Sequence, residues 1–574
     1  MIDISQFQGE IPRLSDKLLP NNHASSAINC DLQEGRLKPT KAAKSEGSLE
    51  IDTETIYRLG EQWLQWSNKI NVVSSLVYNS GSRIVYTGDT YPRETNIALG
   101  IGGSTPYPTD SRRLGIPAPT AAPSYTITTA GTGDTRDIAY CYTRVGVWED
   151  GTLVESAPSP STAVFEVNTV GTEVKIDDFV DATADGVYTT QYYIYRINTG
   201  AVGAEYQYVD AILKTASPLE YDDTKDDDEL GETLPTETWT APVDGLKGIL
   251  AAGNGLLYGF DDNTVYVSEP FISYAFPSIY TIPVESEIVG LGYNGAAVIV
   301  LTKTRPYMIF GTDPKTLSIE QTPYDLPCTS ARSIVSIPGG VIYASITGLV
   351  LVDTSGSADT LTKNIYTKEQ WLELNPSKIV AFFYNDAYVA FFAGTERGVE
   401  FNPGEKGIRI IEADSLIHGG QYVSTVSINT YNFLTSTSAN LITADGYQLV
   451  ITGSPYSITY DTLYLIQQNG AGREVVAWES NDYKDYMWVS KEFSYTKQRV
   501  FTAGIIIGDF ANGDTVLTLT VDGRNTFSKT ISDNEVFRIS NAKRGTNFKV
   551  TLTGRAFIDR VILGESIDKV LSNV

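Results

Sequence analysis

Histidine is nearly missing from this 574-residue sequence: only His23 and His418 occur. No His-rich metal motif can be built from two, and a lone histidine is more often a surface or capping residue than a catalyst. Cysteine is almost as scarce. Cys30, Cys141 and Cys328 lie far apart, no CxxC pair occurs, and the odd count predicts reduced, mostly buried thiols. Basic residues are outnumbered. With 43 Lys and Arg against 69 Asp and Glu, the formal charge is −26. That argues against groove binding to nucleic acid, which needs clustered cations to displace counterions. It favours solubility and a surface that repels polyanions. No apolar run approaches membrane-spanning length, and IVAFFYNDAYVAFFAG is interrupted by Asn385 and Asp386. The opening MIDISQFQGE carries Asp3 and Glu10 and has no apolar core, so no signal peptide is expected. The chain reads as one made and folded in a cytoplasm.

Catalytic motifs are missing too. HExxH, GxSxG and GxxxxGK[ST] do not occur, which leaves zincin, hydrolase-elbow and P-loop chemistries without support. GIGGS at 100–104 is Gly-rich, but the Pro-rich segment beyond it offers no helix to cap a phosphate, so a turn is expected. The acidic run DDTKDDDELGE at 222–232 could hold a cation with Asp226, Asp227 and Asp228. An EF-hand loop needs Gly at its sixth position and Glu at its twelfth; counted from Asp222 those places hold Asp227 and Thr233. A solvated linker is the expectation. Paired carboxylates for glycoside hydrolysis stay open, because 69 acidic residues offer too many pairs for any one to be informative. No catalytic, metal-ligating or cofactor-binding residue is therefore assigned, no cofactor is expected, and the chain reads as a non-enzyme.

What the sequence does have is β-structure. Thr, Tyr, Val and Gly are plentiful, and 574 residues exceed one hydrophobic core. ILAAGNGLLYGFDDNTVYVS, Ile249 to Ser268, reads as two apolar strands around the turn Asp261-Asp262-Asn263. The pattern recurs. GLLYGF starts at Gly255, GAAVIVLTKTRPYMIFG at Gly295, GVIYASITGLVLVD at Gly340 and DAYVAFFAGTERGVEFN at Asp386. INVVSSLVYNSGSRIVYTGD from Ile70 is an earlier copy, and NLITADGYQLVITGSPYSITYD at 440–461 a looser later one. Units of roughly 40–45 residues with several short strands predict propeller blades, each burying its faces against its neighbours. Unrelated β-meanders are the alternative.

A different pattern interrupts this one. RRLGIPAPTAAPSYTIT at 112–128 is linker-like, and the segments that follow alternate with period two. Tyr140, Tyr142, Tyr192 and Tyr193 are candidate core and cross-strand residues. Roughly 115 residues of this kind fit one immunoglobulin- or fibronectin-like sandwich. The C-terminal stretch, with an Asp-Gly turn at Asp522-Gly523, reads as a second sandwich. The expected fold is all-β: a propeller in 57–117 and 241–480, a sandwich inserted at 118–240 and another at 481–574.

Several segments together resemble the nozzle or tail-hub proteins of short-tailed bacteriophages, the tail tubular protein B group. NCDLQEGRLKPTKAAK at 29–44, following GEIPRLSDKLLP, is similar to the N-terminal segment of that family. SRIVYTGDTYPRETN at 82–96, NTVYVSEPFISYAFPSIYTIPVESEIVGL at 263–291, CTSARSIVSIPGGVIYASITGLVLV at 328–352 and KEQWLELNPSKIVAFFYND at 368–386 resemble its propeller segments. ESAPSPSTAV at 155–164 resembles its inserted domain, and FRISNAKRGTNFKVTLTGRAFIDRVILGES its closing sandwich. The resemblance implies a virion protein in a ring of usually six subunits, below an adaptor and above distal tail parts, whose lumen conducts DNA without binding it specifically. It also implies a platform made of residues 1–56 and the C-terminal sandwich. Two other classes stay open: a receptor- or glycan-binding tail protein, with aromatics of PFISYAFPSIY at 270–280 stacking on sugars, and a glycan-degrading propeller enzyme.

Overall fold

The computed structural model describes residues 1–77, 80–200, 203–402, 407–423, 430–432, 450–452 and 462–573. They are almost entirely strands in small antiparallel sheets, the β-propeller class of all-β fold. The chain divides into two compact units, Asp52–Ile379 and Met1–Ile51 with Val380–Val574.

In the first unit, four sheets are sequential four-stranded meanders, the topology of a propeller blade. They are Asn71–Ser74 to Arg112–Arg113, Lys247–Ala251 to Ile282–Pro283, Ile288–Tyr293 to Ser318–Gln321, and Val335–Ile337 to Ala358–Thr360. Their inner strands are apolar on both faces: every residue of Val298–Thr302 and of Gly340–Ser345 is buried. A strand covered on both sides loses the period-two alternation and reads as a continuous hydrophobic run. The hairpins turn tightly. Leu257–Asp261 pairs with Thr264–Val267 down to Asp261 opposite Thr264, and Asp262 takes φ +50°, as a two-residue turn requires.

Between the first and second meanders lies a sandwich. Leu153–Glu155, Tyr140–Val147, Gln191–Gly200 and Gly203–Leu213 form a four-stranded sheet, with shorter sheets built from strands between Ser124 and Asp223. Tyr140, Tyr142, Tyr192, Ile194, Val174 and Ile176 fill the core. Tyr193, one residue out of phase with Tyr192, is half-buried and packs edge-on against Tyr208 at 5.2 Å. One turn of the sandwich leaves this core. Trp148 and Val154 pack with Val85, Leu114 and Ile249 of the meanders. Arg83 stacks on Trp148 at 4.2 Å and donates to Asp150, so the insert is clamped by an ion pair as well as by apolar contact.

The second unit weaves both ends of the chain together. Ile2–Ser5 pairs antiparallel with Phe557–Gly564, Ile2 opposite Leu563. His23–Ile28 pairs with Tyr486–Ser490. Ile2, Ile4 and Phe7 share a core with Trp488, Phe548, Leu552 and Val561, and Phe7 meets Trp488 edge-on at 4.9 Å.

Two segments differ from their sequence reading. The hairpin at Asp386 lies in a sequential four-stranded meander like the others, but its sheet does not end there. Its meander, Ile379–Tyr384 to Arg409–Glu412, continues through Ile410 opposite Ile28 into the sheet of the C-terminal sandwich. The strand Lys44–Leu49, expected within a platform segment, instead completes a four-stranded sheet with Gly472–Ala477, Thr462–Asn469 and Ile417–Val423. Both differences arise from pairing partners more than 350 residues away, which no local pattern records. The looser copy at 440–461 lies outside the described residues apart from Val450–Thr452.

Candidate functional site: an acidic pocket in the terminal unit

A cavity of about 50 Å³ opens in the second unit, lined by Asp31, Thr40, Tyr384, Glu400, Trp478 and Glu479 among others. Each wall has a local cause. Asp31 ends the strand Cys30–Asp31, held by pairing with Lys38–Pro39. Tyr384 ends a strand just before the turn Asn385-Asp386, where both residues have positive φ, +49° and +59°. That turn is the polar interruption seen in the apolar run of the sequence. Gln33 Nε2 donates to the Asn385 carbonyl at 3.1 Å and anchors the turn to the N-terminal segment. Glu400 lies opposite Arg409 in register on the neighbouring strand.

Arg409 is the cation of the site. It is buried at 3% side-chain exposure, donates to Glu400, and lies 3.7 Å from Asp31. Glu479, which is partly exposed, has no such partner among the described residues. Burial pushes it up to about 8, and the negative charges of Glu400 and Asp31 add to that shift; Arg409 and Lys41 oppose it. Its backbone sits at φ +52°, an uncommon conformation for a residue with a side chain. Trp478 is buried, packs edge-on against Phe391 at 5.1 Å, and presents an aromatic wall. Burial pushes Tyr384 up to about 12, with the Glu479 charge adding to it. The site thus sets carboxylates beside aromatic rings, and the chain's own Lys484 lies over the Trp478 ring at 5.6 Å.

Residues flagged from sequence are dispersed. His23 is buried and its Nδ1 lies 3.1 Å from the Gly9 carbonyl, whereas His418 Nε2 lies 2.9 Å from Gln468 Oε1 on a different sheet. Cys30, Cys141 and Cys328 are buried free thiols, and burial pushes each of them up. The glycines of GIGGS end the one-turn helix Ile97–Ile101 instead of forming only a turn; they stand at its C-terminal end, where carbonyls and not amides are free. The acidic run is not simply a solvated linker. Asp223 within it is 1% exposed and accepts from Arg196 and Tyr140, each at 2.6 Å. Asp227 pairs with Arg136 at 2.5 Å and Arg196 at 3.1 Å. In PFISYAFPSIY, Tyr274, Phe276 and Tyr280 are core residues, which leaves Phe271 as its one exposed ring. Among the described residues no group of three or more His, Cys, Asp or Glu is placed to hold a metal ion. No helix among them is long and apolar enough to cross a membrane.

Glu479 and Glu10 were not singled out from sequence. Glu10 is buried on a short strand, accepts from the Ala27 amide at 2.6 Å, and is pushed up to about 7 by burial. Among 69 acidic residues, burial sets Glu10 apart together with Glu94 and Asp223, and burial depends on segments distant in the chain.

No family model matches the chain, and no curated protein does. Solved structures with some similarity include BBS1N in complex with ARL6DN, at 10% identity and TM-score 0.24, over 62% of this chain and 97% of that one. YCF48 from Cyanidioschyzon merolae is 10% identical, with TM-score 0.24 over 46% and 93% of the two chains. Apo AztD from Citrobacter koseri is 11% identical, with TM-score 0.23 over 57% and 89%. At such scores none of them supplies a function, ligand or partner for this chain.

Proposed function

We propose that this chain is a structural tail protein of a short-tailed bacteriophage, a ring-forming hub or nozzle through which the genome leaves the virion. The sequence resemblance motivates the reading. The observation that carries it is the terminal unit, in which residues from both chain ends share one core, Ile2 and Phe7 with Trp488 and Phe548. Such a fold presents the two family-like terminal segments as one body, suited to contact an adaptor and neighbouring subunits. Propeller blades satisfy their faces against one another and leave fewer open edges for partners. Charge agrees with a conduit: six copies of a −26 chain would carry roughly −150, and an acidic lumen lets a polyanion slide without sticking. Head-to-tail closure would join one patch to a different patch on the next subunit.

Negative-stain images of the purified full chain, and of virions labelled with antibody against it, test the proposal. Rings with a central lumen and label on the tail are the expected result. Absence of label from tails overturns it. So does sustained release of reducing ends from host-surface polysaccharide that a single Asp or Glu substitution abolishes.

A further inference from the structure

We infer that the C-terminal sandwich carries a cationic docking edge, which takes the acidic run 222–232 of a second copy of this chain. Charge is spread unevenly along the sequence. Residues 481–574 hold 13 Lys and Arg against 11 Asp and Glu, a surplus of +2 within a chain of −26, which leaves −28 on the residues before them. Three segments of the sandwich bring cations together. Arg499, at the end of the strand Phe493–Arg499, lies opposite Gly545, so Lys497 comes near Lys543 and Arg544. The turn Asp522-Gly523 joins Thr515–Val521 to Arg524–Ile531. The Asp522 carboxylate accepts from the Thr546 and Asn547 amides at 3.1 and 2.9 Å, which ties Arg524 to the same corner. Lys497, Arg524, Lys543 and Arg544 are all exposed. None of the four forms an ion pair among the described residues, whereas Arg499, Lys549, Arg555 and Arg560 of the same sandwich each do.

The patch stands at an open edge, because Arg524–Ile531 is the last strand of its sheet. Exposed cations on an edge strand, here Arg524 and Lys529, oppose the addition of another strand. A facing surface of carboxylates is favoured instead. The chain itself supplies one. Seven of the eleven residues 222–232 are acidic, and Asp222, Asp226, Asp228, Glu229 and Glu232 are exposed with no ion pair among the described residues. Asp223 and Asp227 hold the run in place through Arg196 and Arg136. Two chains of −26 repel in most orientations, whereas this patch against that run attracts. Two copies of the patch cannot face each other, because both are positive. The contact is therefore heterologous, one patch against a different one, and it closes into a ring or grows as a filament. The inference rests on the ring reading only in taking a second copy as the occupant.

Sedimentation velocity of the full chain in about 0.05 M and about 0.5 M sodium chloride tests this. Concentration-dependent association is expected at the lower salt, and its loss at the higher. Lys543→Glu with Arg544→Glu should weaken association at least about tenfold, and so should Asp228→Lys with Glu229→Lys. All four side chains are exposed, and the thermal transition of each variant is recorded first to show that it folds. Mixing the two variants should restore association, since each supplies the charge that the other has reversed. A chain that stays monomeric at low salt overturns the inference. So does association unchanged in the folded Lys543→Glu, Arg544→Glu protein, or a mixture that fails to recover. A short DNA duplex held by the same cations without self-association makes nucleic acid the occupant and overturns it as well. Rings that persist in the charge-reversed protein place the interface elsewhere and leave the ring reading standing. Recovery on mixing with no label on tails keeps the interface and overturns the virion reading instead.

Discussion

Asp223 in the inserted sandwich and Glu479 in the terminal unit are both carboxylates drawn away from water, and they are treated in opposite ways. Asp223 accepts from the Arg196 guanidinium and the Tyr140 hydroxyl, and its second oxygen accepts from the Lys225 amide at 3.0 Å. Every lone pair that matters has a donor, so the charge is part of the architecture. Glu479 has none among the described residues, and its proton affinity rises instead. Burial of a charge with its partners locks a fold, whereas burial without them leaves a group that responds to pH or ligand.

The sharpest way to break the comparison is to remove the partner where one exists. Arg196→Met removes the ion-pair partner of Asp223 at 1% exposure and leaves it only the Tyr140 and Lys225 donors, and about 3–5 kcal/mol of stability should be lost. Urea unfolding measures it, and a loss under about 1 kcal/mol would show that the pair is not needed. Glu479→Gln should act in the opposite direction. The folded chain holds this proton to about pH 8, against an ordinary value of 4.5. The folded state therefore binds more protons between those values, and stability falls as pH rises through that window. The variant should match wild type near pH 5 and gain progressively to a plateau above pH 8, of roughly 1–3 kcal/mol. A flat difference across pH would refute the assignment. The smallest effect belongs to exposed pairs. Lys363 and Asp359, more than half exposed, should change stability by less than about 0.5 kcal/mol when Lys363 is replaced by Ala. A larger loss would mean that exposure is a poor guide to which charges matter here.

The same contrast explains how far the sequence could be read. The hairpins at Gly255, Gly295 and Gly340 were legible because turn residues separate strands buried on both faces. Tyr140, Tyr142 and Tyr192 were legible as core because period-two alternation survives wherever one face of a sheet is buried. The aromatic run 270–280 misled in part: local sequence cannot say whether Tyr274 or Phe271 points inward, and the structure buries the first and exposes the second. None of the pocket was legible. Its walls come from residues 31–40, 384–400 and 478–479, which share no motif or spacing.

The sequence by itself determined an acidic all-β chain of repeated hairpins with a Tyr-rich sandwich, because composition, turn chemistry and periodicity are local properties of consecutive residues. Only the tertiary structure decided that Lys44–Leu49 completes a sheet with Gly472–Ala477, that Ile2 lies opposite Leu563, and that Glu479 comes to face Glu400 and Asp31. Those outcomes depend on which distant strand edges and apolar faces meet, and the free energy of that meeting is written in no single segment of the chain.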